Sequence, residues 1–292
     1  MTGRRVSVLR LLLLALLAYP ALVLVAFLAR HWLVFPLRGG TSGAPAQFRI
    51  ADGEAVRIPT GEGAVLGAWF LPATGGEATR TGVVVWFHGN GETVAALAPV
   101  LREFRVPGVA LLAVDFRGYG ASTGRPTVAN TERDMEAVWR WLAGRPDVDT
   151  TRVVVYGRSV GSGPAVALAT THPVAGLVLE SAFTTLPALA RVHYPILPAS
   201  LAGRGFDNLT RIERVRCPIL FVHGDHDTTI PLWMGQALAD RVRDRSEFWA
   251  IPGADHNDTY DVGGEEYVRR FQAFVRRAVS APGEKAGEVV RK

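Results

Sequence analysis

A chain of 292 residues that is 48% hydrophobic can bury a large core, and this composition excludes disorder for most of its length. The formal net charge of +5 comes from arginines spread along the chain and not from a basic block, which argues against nucleic-acid recognition. A single cysteine, Cys217, excludes a disulfide framework and a thiolate metal site.

The first thirty residues differ from the rest. Arg4, Arg5 and Arg10 lead into an uncharged apolar run from Leu11 to Ala29, long enough as a helix to cross a hydrocarbon layer of roughly 30 Å. The run is longer than a signal-peptide core and finishes Ala26-Phe27-Leu28-Ala29-Arg30, with a large residue where cleavage wants a small one. Residues 1–30 therefore read as an uncleaved signal anchor, a single transmembrane helix. The leading arginines outnumber Arg30 and Arg38, so the positive-inside rule predicts a domain on the far side of the membrane from the cytoplasm. Residues 31–53 read as a juxtamembrane linker, with Trp32 and Phe35 suited to a membrane interface.

Residues 54–280 read as one catalytic domain. Ala55–Ile58 and Ala64–Leu71 are short apolar or alternating runs separated by Gly61 and Gly63, which predicts an antiparallel hairpin at a sheet edge. Strand and helix patterns then alternate. Gly82–Phe87 is a strand, Glu92–Phe104 a helix, Gly108–Phe116 a strand and Asn130–Leu142 an amphipathic helix. Further strands are predicted over Val153–Tyr156, Leu177–Leu179, Ile219–Val222 and Phe248–Ile251. This order predicts an α/β fold, a mainly parallel doubly wound sheet with helices on both faces, whose ligands sit beyond the carboxyl ends of the strands. Between Glu180 and Cys217 lies a proline-containing excursion with one short helix near Leu186–Val192, a minimal lid too short for a cap domain. Residues 281–292 are polar and aperiodic, a flexible tail.

Chemistry is concentrated at four strand ends. Val153-Val154-Val155-Tyr156 runs into Gly157-Arg158-Ser159-Val160-Gly161, a strand turning sharply into a helix with an exposed serine hydroxyl at the bend. Gly157 and Gly161 remove Cβ atoms that would collide across the turn, and the Val160 N–H is aimed at an incoming oxyanion. A serine needs a base, and the base needs an orienting acid. Downstream, in that order, are His223-Gly224-Asp225-His226-Asp227 and Ala254-Asp255-His256-Asn257-Asp258. The reading takes Asp227 as the acid and His256 as the general base, with Asp225 and Glu180 as rivals for the acid. The loop His88-Gly89-Asn90-Gly91-Glu92 supplies a second oxyanion donor, the Asn90 N–H; Glu92 opens the next helix and His88 is structural. Arg117–Gly120 reads as turn scaffolding beside the site.

These segments, with Asp115-Phe116-Arg117-Gly118-Tyr119-Gly120-Ala121-Ser122, resemble the α/β-hydrolase superfamily. The likeness runs from about Trp32 to Phe274 and is strongest to the membrane-anchored, serine aminopeptidase-like group that includes the mammalian alpha/beta hydrolase domain-containing proteins. One departure is Asp255, where that group usually has glycine, which sets a carboxylate beside the base. The resemblance implies a serine hydrolase without a cofactor, acting on an acyl ester or thioester of a small-molecule, acylated or lipid-derived substrate. A peptidase is the enzymatic alternative. A metal hydrolase built from His223, Asp225, His226, Asp227, His256 and Asp258 lacks a compact ligand motif, and an inactive binding protein would not need all three triad positions filled.

Overall fold

Val83-Val84-Val85 and Val153-Val154-Val155 are stiff, β-branched and apolar on both faces, so they belong where a sheet is covered on both sides. In the computed structural model, which describes residues 16–29, 34–35, 39–75, 79–203 and 205–280, they lie at the centre of an eight-stranded sheet. The strands are β1 (Glu54–Pro59), β2 (Val65–Leu71), β3 (Thr81–Phe87), β4 (Val109–Val114), β5 (Val148–Arg158), β6 (Gly176–Glu180), β7 (Ile219–Gly224) and β8 (Ser246–Ile251). Their spatial order is β1-β2-β4-β3-β5-β6-β7-β8. β1 and β2 form the expected antiparallel hairpin, β2 pairs antiparallel with β4, and every other pairing is parallel.

Alternate residues of the central strands feed two cores. Val83, Val85, Val153 and Val155 face a layer containing α3 (Val128–Ala143), α4 (Ser162–Thr171), the short α6 (Asn208–Arg211) and α7 (Leu232–Asp240). Val84, Trp86, Val154 and Tyr156 face α2 (Ala98–Glu103) and α8 (Thr259–Ser280). On that second face the Trp86 and Tyr156 rings stack, with Phe271 of α8 edge-on to both. α8 was not among the predicted elements, although Tyr267, Phe271, Phe274, Val275 and Ala278 are buried at helical spacing along it.

Two further predictions need correction. The helix predicted over Glu92–Phe104 begins only at Ala98, because the residues before it serve the site: the Glu92 carboxylate accepts the Gly89 N–H and the Val94 N–H donates to Asp115. The segment predicted as a linker, 31–53, is packed on the domain over its described part. Phe35 is fully buried in the core and not at an interface, Ile50 is buried, and Gly39 exchanges backbone hydrogen bonds with Gly118 and Gly120. Trp32 lies outside the described residues.

The predicted anchor lies only partly within the described residues. Residues 16–29 are helical (α1), while 1–15 and 30 lie outside the described residues. Among the described residues no helix is long and apolar enough to cross a membrane. The predicted tail, 281–292, also lies outside them.

Candidate active site

The Gly-x-Ser-x-Gly turn is held by sterics. Ser159 sits immediately after β5 with φ +53°, a left-handed conformation that costs a non-glycine residue of order 1–3 kcal/mol and is kept only where the surroundings enforce it. A Cβ on Gly157 would come within 2.5 Å of the Gly161 carbonyl oxygen, and one on Gly161 within 2.7 Å of the His88 carbonyl oxygen. Both obstacles are backbone and cannot swing aside. Gly161→Ala is therefore expected to lose about 3 kcal/mol, the upper end for overpacking, measured as a lower urea midpoint at unchanged m-value.

Strand ends β5, β7 and β8 bring Ser159, Asp227 and His256 together. His256 Nε2 lies 3.0 Å from Ser159 Oγ, and His256 Nδ1 lies 2.8 Å from Asp227 Oδ2. Asp227 Oδ1 accepts the backbone N–H groups of Thr229 and Ile230, at 2.9 Å and 2.6 Å, so the carboxylate is fixed in orientation. Burial by itself would push the Asp227 carboxyl up. The hydrogen bonds from His223 and His256, the imidazole charge and the Ile230 N–H outweigh it and hold Asp227 well below the usual carboxylate range.

The rival acids are occupied elsewhere. Asp225 accepts the Gly253 N–H and pairs with His226, bracing one loop against the next. Glu180 is buried under the sheet edge, where it accepts from Arg158, Tyr156, Tyr267 and Thr259. Asp255, expected to act on the base, instead accepts from the backbone N–H of Thr228 and of His256 and from the Thr228 hydroxyl. Those bonds, the Thr228 N–H first, lower its pKa, and its charge is spent joining the Asp227 and His256 loops.

Asn90 and Val160 line the same cavity as Ser159. The Asn90 side chain is pinned on both ends, donating to the Val34 carbonyl at 2.9 Å and accepting from the Tyr119 hydroxyl at 2.6 Å. His88 is fully buried, its pKa pushed down by burial against the pull of Asp115, as suits a structural imidazole. Arg117 is a strut, clasping Asp134 through two bonds of 2.8 Å and 2.6 Å and reaching Glu62. Of the alternative metal set, His223 and His256 both turn to Asp227, Asp225 pairs with His226 and Asp258 accepts the Asp255 N–H, and among the described residues no group of three or more is arranged to hold a metal ion.

Two features were not anticipated. Arg158, which precedes the serine in the elbow, contacts Glu92, Glu180, the His256 carbonyl oxygen and Asn257, joining the three loops that surround the serine. Ser159 is also not exposed at the top of the sheet but 8% accessible, on the floor of a cavity of about 410 Å³. The lid roofs it with α5 (Leu186–His193) and the turn Ala199–Ala202, and Ala26 and Val34 from the N-terminal segment complete the wall. The lid is tied to the acid loop where His193 Nε2 meets the Thr229 carbonyl oxygen at 2.7 Å.

Comparison with known proteins agrees with this architecture. Residues 78–208 match the family described as serine aminopeptidase, S33. An uncharacterized protein of Mycobacterium tuberculosis is 31% identical over 261 residues, 88% of this chain and 92% of that protein. Human alpha/beta hydrolase domain-containing protein 17B is 34% identical over 165 residues, 56% of each chain. Among solved structures, an esterase of Pyrococcus furiosus aligns with TM-score 0.64 at 23% identity, covering 83% of this chain and 98% of its own. A puromycin-hydrolyzing peptidase of M. tuberculosis aligns with TM-score 0.64 at 19% identity, covering 78% of this chain and 39% of its own, so the shared fold does not choose between ester and peptide. With the 1-2-4-3-5-6-7-8 sheet, the serine on its elbow after β5 and these relatives, the chain belongs to the α/β-hydrolase family.

Proposed function

We propose that this protein is a serine hydrolase that cleaves an acyl ester or thioester through an acyl-enzyme at Ser159. The observation that carries the reading is the Ser159–His256–Asp227 hydrogen-bonded relay on the floor of an apolar cavity. Ser159 Oγ attacks the acyl carbon as His256 Nε2 takes its proton. The carbonyl oxygen, now negative, is received by the backbone N–H groups of Asn90 and Val160. Collapse expels the alcohol or thiol, which takes the proton from His256, and a water activated by the same imidazole releases the acid. Asp227, ionised throughout the neutral range, holds Nδ1 protonated so that Nε2 is free to act as base. No cofactor takes part.

The lining favours an acyl group over a peptide. Phe183, Leu186, Leu189, Leu197, Leu201 and Ile230 surround the serine, and among the described residues no Asp or Glu lines the cavity to receive a peptide α-ammonium. The peptidase reading rests on the family description and on a fold shared with the puromycin-hydrolyzing peptidase, and no residue of the lining favours it. The N-terminal apolar run holds the domain at a membrane, on the side away from the cytoplasm, where lipid-derived substrates are presented.

A fluorophosphonate probe is expected to label the wild-type protein and not Ser159→Ala, and turnover of acyl esters or thioesters is expected to survive a strong chelator. Labelling that persists in the alanine variant, or cleavage of aminoacyl amides faster than of any ester or thioester, would overturn the reading.

A further inference from the structure

Among the described residues, large exposed apolar side chains are concentrated in two places. One is α1, where Leu16, Leu17, Leu22, Leu24, Val25 and Leu28 are exposed and only a narrow stripe through Ala26 reaches the domain. The other is the outer side of the lid, with Val192, Tyr194 and Ile196. The two are adjacent: the Tyr19 hydroxyl of α1 donates to the Ile196 carbonyl oxygen at 3.1 Å, and Ala26 lines the cavity together with lid residues Leu189 and Leu197. A helix apolar around nearly its whole circumference is stable only where something apolar surrounds it.

Charge identifies what surrounds it. From Ser181 to Phe206 the chain has no Asp or Glu, although acidic residues make up 27 of its 292, and it carries Arg191, His193 and Arg204. Arg191 is exposed beside Val192. An apolar surface with Arg191 at its border, in a segment that carries no carboxylate, suits the headgroup and acyl boundary of an anionic bilayer. The uncharged run from Leu11 to Ala29, with α1 as its latter part, points to the same occupant, since its length is that of a hydrocarbon layer. A second copy of the chain would cover α1 but gives no reason for the missing carboxylates on the lid.

We infer that α1 and the outer side of the lid form one bilayer-contacting surface, and that acyl chains enter the cavity over Ser159 laterally from the lipid phase, between Ala26 and the lid. The surface stands independently of the chemistry; lateral delivery of an acyl chain rests on the hydrolase reading above. Opening there requires α5 to move and to release the His193 bond to the Thr229 carbonyl oxygen, while the deep wall of the cavity stays with the buried core through Phe183 and Ile230.

The test uses the full chain reconstituted in phosphatidylcholine vesicles containing phosphatidylglycerol. Cys217 is buried, its thiol pushed up to about 12 by burial, so a cysteine introduced at the surface takes an environment-sensitive fluorophore selectively. Ile196→Cys reports on the lid and Glu247→Cys on the exposed amino-terminal end of β8, at the opposite edge of the sheet from the site. Lipids brominated on their acyl chains are expected to quench the label at 196 and leave that at 247 bright. Equal brightness at the two positions, or shielding of 196 by a detergent-stable dimer and not by vesicles, overturns the surface whether or not the protein is a hydrolase.

The paired change Val192→Glu with Ile196→Glu tests delivery, since neither side chain lines the cavity. It is expected to leave turnover of dissolved p-nitrophenyl acetate unchanged and to cut hydrolysis of a palmitoyl ester embedded in the vesicles by about tenfold. Equal loss on both substrates, or loss on neither, overturns lateral delivery. Wild-type protein inert toward both esters while quenching at 196 persists would instead reject the hydrolase reading, and lateral delivery with it, and keep the surface.

Discussion

Replacing Ser159 by alanine is expected to lower turnover by roughly four to six orders of magnitude while leaving the fold intact, because the covalent route is lost and alanine bears the same left-handed backbone as serine. His256→Ala should cost about as much. With either residue gone the other has no step to perform, so the double variant should be scarcely slower than the singles. Purified variants matched by circular dichroism and assayed in a single-turnover format would measure this; a double variant that lost the product of the two single effects would mean that Ser159 and His256 do not act in one step. Asp227→Asn has a more particular consequence. Oδ1 of Asp227 accepts two backbone N–H groups, so the amide oxygen of asparagine must take that position and its NH₂ must face His256 Nδ1. An NH₂ there donates to Nδ1 and moves the imidazole proton to Nε2, the tautomer that cannot accept from serine. A loss of about 10⁴ in kcat with little change in KM is the expected signature.

Much of this site could be read from the residues because its parts are local in sequence. A β-branched run followed by Gly-x-Ser-x-Gly fixes its own turn, and the Asp227 and His256 loops follow strands recognisable by their apolar runs. What could not be read is what depends on distant partners. Glu92 looked like the opening of a helix and is a clamp on Gly89 and Arg158, a pairing across 66 positions that no periodicity reveals. Asp255 looked like a perturbation of the base and is a tie to Thr228. Phe35 looked like an interfacial aromatic, since an isolated aromatic after an apolar run carries no sign of the core it enters. The lid did leave a sign that was not used: twenty-six residues from Ser181 to Phe206 without a carboxylate.

Arg158→Met is expected to cost about 3–5 kcal/mol, because it strands the Glu180 carboxylate, fully buried, without its counter-charge. The guanidinium donates to Glu180 at 3.1 Å, to Glu92, to the His256 carbonyl oxygen at 2.6 Å and to Asn257, so the same change also frees the oxyanion and histidine loops from the elbow. The pH dependence separates the charge effect from generic damage. Burial opposes ionisation of Glu180, but Arg158 and the hydroxyls of Thr259, Tyr156 and Tyr267 outweigh it and lower its pKa. A lowered carboxyl contributes stability that is complete above its unfolded value, about 4.3, and is lost as pH falls through the folded one, so the wild type should gain stability with rising pH in the acid range. Without Arg158, burial prevails and the folded pKa rises above the unfolded one. The folded state then holds the extra proton, and the variant should lose stability as pH rises toward neutrality, the opposite slope. Adding Glu180→Gln removes the stranded charge, and Tyr156 and Tyr267 can still donate to its carbonyl oxygen, so the double variant should recover most of the stability. Turnover should stay low in that stable double variant, since the loops around Ser159 remain untied. Urea unfolding of the wild type, both single variants and the double across the acid-to-neutral range would decide it; parallel pH slopes, or losses that simply add, would show that Arg158 and Glu180 are not one unit.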